Sequence, residues 1–89
     1  MDYCNLPVQM LSVCGADGGL RPVRFRFEDG EHALRTVRVD QVLSSREIQY
    51  VGVEALSFLC RAVLGDREHI FELRYTLRTH RWVLQRMIS

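Results

Sequence analysis

From Phe71 to Arg78 every second residue is bulky and apolar: Phe71, Leu73, Tyr75 and Leu77 alternate with Glu72, Arg74, Thr76 and Arg78. A period of two marks a half-buried β-strand, because successive side chains of extended backbone point to opposite faces. The pattern recurs along the chain. Val23, Phe25 and Phe27 alternate with Arg24, Arg26 and Glu28, and Asp29-Gly30 follows as a turn pair that accepts positive φ. In residues 34–43, Val37 and Val39 share a face with Arg35, whereas Arg38 and Asp40 oppose them. Val42 then falls on the opposite face, so a bulge or bend is expected near Gln41. Ser44-Ser45-Arg46 reads as a loop, and Ile48 and Tyr50 belong to a short strand ending at Gly52. Thr79-His80 turns the chain into a last strand over residues 82–88.

Residues 53–64 fit two patterns. Val53, Leu56, Cys60, Val63 and Leu64 make a helical stripe, with Glu54 in the first turn and Gly65 as a stop. Read as a strand, the same segment turns Phe58, Cys60, Ala62 and Leu64 to the core and Ser57, Leu59, Arg61 and Val63 outward. Gly65-Asp66 favours the strand, because it joins the segment to the alternating run after it as a two-residue hairpin loop. The expected fold is therefore mainly β, a small antiparallel meander curled into a partial barrel. The alternative is α+β with a helix at about residues 53–64. A flat sheet of this size would leave its apolar face in water, so it must curl or be covered.

Residues 1–20 contain no arginine and end in Cys14-Gly15-Ala16-Asp17-Gly18-Gly19, a turn-rich stretch. The apolar segment Leu6 to Val13 suits an edge strand or a docked arm, and Pro7 fits an edge. The organisation read from this is an N-terminal arm and linker over 1–20 and a single small β domain over 21–89. Eighty-nine residues suffice for one domain only. The residues from Met1 to Asn5 lack a basic n-region and a long apolar run, so neither a secretion signal nor a membrane span is expected and a cytoplasmic location is. Cys4, Cys14 and Cys60 are an odd number without repeated spacing, which suits reduced thiols.

The sequence lacks a Gly-rich phosphate loop, a Cys-x-x-Cys pair and a His-Glu-x-x-His helix. No enzyme, cofactor or metal site is expected. His32, His69 and His80 read as turn histidines, and a Cys60–His69 nucleophile pair would need a third orienting group and a pocket. The charge pattern is more informative. All twelve basic residues are arginine, while the net charge is only +1. Arg24, Arg26, Arg74, Arg78 and Arg81 fall on the polar side of the predicted strands, with Trp82 beside them. Were these strands adjacent, their guanidinium groups would line one face. That face would either form Arg–Glu pairs with Glu28, Asp40 and Glu72 or meet an anionic partner. Tyr50, Tyr75 and Trp82 could serve as stacking platforms for bases, although Tyr75 shares the core-facing set.

The order of Pro22-Val23-Arg24-Phe25, Val39-Asp40-Gln41-Val42-Leu43, Phe71-Glu72-Leu73-Arg74-Tyr75 and Arg81-Trp82-Val83-Leu84 resembles a family of small uncharacterised bacterial β-domains. In some genomes such domains lie near error-prone (Y-family) DNA polymerases, so the resemblance implies a DNA-repair context. It carries no catalytic or binding residues across, and residues 1–20 fall outside it. Two functions are expected on these grounds. One is a non-catalytic binding module, a nucleic-acid-associated accessory. The alternative is a protein-interaction or structural module that meets an acidic protein surface or forms a homodimer through an edge strand or the N-terminal arm.

Overall fold

A computed structural model describes residues 4–89, the side chain of Tyr50 excepted. Residues 1–3, part of the stretch read for a secretion signal, lie outside the described residues. Six antiparallel strands, β1 (Cys4–Cys14), β2 (Leu20–Glu28), β3 (Leu34–Tyr50), β4 (Val53–Leu64), β5 (Arg67–Thr76) and β6 (Arg81–Met87), follow one another around a closed barrel. The expectation of a mainly β, curled meander is met, and residues 53–64 are strand rather than helix. Among the described residues no helix is long and apolar enough to cross a membrane.

The alternation read from the sequence sorts the side chains as a barrel requires. Phe25, Phe27, Val37, Phe58, Cys60, Ala62, Phe71, Leu73, Trp82 and Leu84 fill the interior. Phe71 meets Phe25 edge-on with centroids 5.9 Å apart. Where alternation breaks, a bulge restores it. The register of β3 on β4 slips at Asp40, as expected near Gln41, and again at Leu43, so that Val39 and Val42 both turn inward. Val23 is the extra residue on β2, and Pro22 rather than Val23 is fully buried beside Phe25.

Four local readings are corrected. Ser44-Ser45-Arg46 is not a loop but the middle of the long β3, paired with Leu59, Phe58 and Ser57. Polar residues are accommodated there because one edge of β3 faces no strand. Cys4–Cys14 is not an arm. It pairs with β6 from Cys4 to Val8 and with β2 from Gln9 to Cys14, and so closes the ring. Pro7 is tolerated because only β6 lies alongside it, and no rung of the β1–β2 ladder is lost there. In the turn after β2 the positive φ falls on His32, not Gly30. Leu77 leaves the core-facing set, 42% exposed in the turn before β6.

The hairpin turns follow their residues. Gly65, at φ +70°, opens the two-residue β4–β5 turn expected of Gly-Asp. Val51 and Gly52 join β3 to β4, both at positive φ.

Candidate functional site

The outer faces of β1, β2 and β3 carry two side-chain rows that run across the strands. Gln9, Arg26 and Thr36 form one row, and Leu11, Arg24 and Arg38 the next. Arg24 and Arg38 are thus directly opposed on neighbouring strands, where Cβ atoms stand roughly 5 Å apart and like charges destabilise the sheet. No carboxylate of the described residues relieves them. Among the described residues none of Arg24, Arg26 and Arg38 forms an ion pair, and all three are exposed. Glu28, the next carboxylate along β2, instead accepts a hydrogen bond from His32 Nδ1 at 2.6 Å. A shallow groove of about 240 Å³ runs beside the guanidinium groups, from Gln9 and Leu11 to Arg24, Arg26 and Thr36.

Elsewhere on the barrel several charges are matched. Arg61 lies 3.8 Å from Glu68, and Arg86 lies 3.4 Å from Glu72. Arg35 Nε donates to Asp29 Oδ2 at 2.9 Å. The Asp29 side chain, only 4% exposed, also accepts from the amides of Glu31 and Ala33. The Arg35 guanidinium and these two amides hold the Asp29 carboxyl below its ordinary value of 3.8.

The arginines expected on one face are not brought together. In a ring of six strands β2 lies opposite β5, so Arg24 and Arg26 point away from Arg74. Arg74 stands between Ser57 and Val83, Arg81 faces Thr76, and Arg78 sits in the turn between β5 and β6. No two of these three face each other in register. Trp82 is only 8% exposed and packs against Phe58 and Tyr75 at centroid distances of 5.4 and 5.0 Å, so it belongs to the core rather than to a stacking surface. Tyr75 is half-buried and shares a hydrogen bond of 2.7 Å with His80. The side chain of Tyr50 lies outside what the structure describes. The face expected from the sequence omits Arg38, although the alternation that sets it opposite Val37 and Val39 turns it outward.

Register also separates the proposed nucleophile pair. Cys60 faces Phe71, whereas His69 faces Ala62 and bonds through Nδ1 to the carbonyl of Ser89 at 2.9 Å. Burial pushes the Cys60 thiol up to about 12, which keeps it protonated. Among the described residues no three His, Cys, Asp or Glu side chains converge on a point that could hold a metal ion.

No family model matches the chain, and neither a curated protein nor a solved structure shows significant similarity to it.

Proposed function

We propose that this chain is a non-catalytic binding module that meets a nucleic-acid backbone through Arg24, Arg26 and Arg38. The carrying observation is the direct opposition of Arg24 and Arg38 with no carboxylate among the described residues paired to either. A phosphate supplies the missing charge, and the guanidinium fork matches its geometry. Arg26, in the neighbouring row, extends the positive strip along β2. The exposed arginines beside a shallow groove suit a polymer lying on the outer surface, and the packed interior suits a role without a buried substrate. The free thiols of Cys4 and Cys14 suit a reducing cytoplasm.

Titration of a fluorescent single-stranded oligonucleotide tests the proposal. Three phosphate contacts give a slope of log K against log salt of about −2, so affinity falls roughly 20-fold between 50 and 200 mM salt. Binding that ignores salt, or no binding at low salt, overturns it.

A further inference from the structure

The β2–β3 pairing ends early. Five pairs join the strands, from Glu28↔Leu34 to Arg24↔Arg38. Beyond them β2 continues back to Leu20 with only β1 beside it, and β3 continues to Tyr50 with only β4 beside it. The divergence has local causes. Pro22 has no N–H to offer, Val23 is a bulge on β2, and the bulges at Asp40 and Leu43 bend β3 away. Two strand edges therefore open from Arg24 and Arg38 like a wedge. Hollows of about 280 and 410 Å³ fill it, and Gly19, Leu20, Ser45 and Phe58 line both, so they form one groove.

We propose that this wedge is a strand-addition site for an acidic, extended segment of a partner protein, adjoining the nucleic-acid face and sharing Arg24 and Arg38 with it. On the side away from β4, the backbone of β3 along Val42–Arg46 has no strand partner among the described residues, the requirement for adding a strand. The side chains specify what would pair there. On the outer side of the wedge stand Arg21, Arg24, Arg38 and Arg46, all exposed and none in an ion pair among the described residues. Against them stand Asp40 at its bulge and Asp17, whose Oδ1 already accepts from Gly19 N at 2.9 Å. On the inner side Leu20, Val42 and Phe58 line the groove, with Glu47 at its end. An added strand would therefore turn acidic residues outward and apolar residues inward, at a period of two. A nucleic acid has no backbone amides for such an edge, so an extended polypeptide is the occupant the wedge suits.

The test uses the whole chain and a capped peptide of alternating glutamate and valine, about eight residues long to match a strand. Fluorescence anisotropy should show binding at least about tenfold tighter than for the lysine–valine counterpart. Exchange of those amides within Val42–Arg46 that point away from β4 should slow about tenfold or more when the peptide is present, because a new ladder protects that edge. Methylating alternate peptide nitrogens should abolish binding. Arg21→Glu with Arg46→Glu, both exposed and so compatible with folding, should reverse the preference between the two peptides. Arg26→Ala should weaken oligonucleotide binding and leave peptide binding unchanged, which separates failure of this site from failure of the arginine face. The proposal is overturned if the acidic peptide does not bind, or if the methylated peptide binds equally. It also fails if an oligonucleotide protects Val42–Arg46 instead, or if those amides become protected with rising protein concentration alone, which would give the wedge to a second copy of the chain.

Discussion

Cys60 reports on the barrel more directly than any other side chain. It is fully buried, whereas Cys4 and Cys14 are exposed. A thiol reagent attacks the thiolate, and raising the thiol from 9.0 to about 12 makes thiolate roughly a thousandfold scarcer at pH 8. Direct attack in the folded state is slowed by at least that factor, before any steric shielding. The remaining route is through unfolding. A small domain stable by about 5 kcal/mol exposes the thiol about once in 5,000 molecules, so labelling by this route is slowed several thousandfold. Mass spectrometry of the native protein with excess iodoacetamide should therefore show two adducts forming together and the third only over a far longer time. In denaturant all three should form together. Three adducts at matching rates without denaturant would refute the reasoning. They would place Cys60 outside the barrel, and Phe58 and Ala62 on the same face of β4 with it. The raised thiol also has a sign. Its stabilising contribution is fully present below pH 9.0 and is lost as pH rises towards about 12, since only the unfolded thiol ionises in that range.

Three further outcomes are expected. The Asp29 carboxyl is held below its ordinary value, so its contribution to stability is present above about pH 4 and lost as pH falls through the folded value. Urea midpoints measured from pH 6 to pH 2 should fall less steeply for Asp29→Asn, and an unchanged slope would count against the turn as described. Deleting residues 1–14 should leave the chain unfolded by circular dichroism, because β1 pairs with both β2 and β6 and packs Leu6, Val8 and Met10 on the core; a cooperative melt in the truncated chain would contradict its place in the ring. Val51 is a β-branched residue at φ 51° and 86% exposed, so Val51→Asn should relieve about 1 kcal/mol and raise Tm by roughly 4–8 °C, with no change or a fall in a thermal melt speaking against that backbone.

Much of the barrel is legible in the chain. The inward set Phe25, Phe27, Val37, Phe58, Cys60, Phe71 and Leu73 follows from alternation alone, and Gly65-Asp66 marks its hairpin. Two elements are harder to read. Leu6, Val8 and Met10 do alternate with Pro7 and Gln9, yet Pro7 and the glycine-rich stretch after Cys14 suggest an arm. Only the closure of the ring shows that this strand has neighbours on both sides. Ser44-Ser45-Arg46 looks like a loop because three polar residues in a row break the period, which two bulges have already shifted. The site is legible to the same depth. A period of two says whether an arginine points in or out. It does not say which strands are neighbours around the ring, so Arg24 and Arg74 could be grouped on one face although they stand on opposite sides. Trp82 likewise sits at the alternation boundary after a turn, and its packing on Phe58 and Tyr75 depends on β4 and β5 both reaching it.

The opposition of those two sides offers the sharpest test. Oligonucleotide affinity at low salt should be compared for Arg24→Ala with Arg26→Ala and Arg38→Ala, and separately for Arg74→Ala with Arg78→Ala and Arg81→Ala. The β2–β3 substitutions should flatten the salt slope from about −2 towards zero, while the β5–β6 set should leave it unchanged. Equal losses from both sets, or loss from the β5–β6 set alone, would contradict the assignment of binding to Arg24, Arg26 and Arg38.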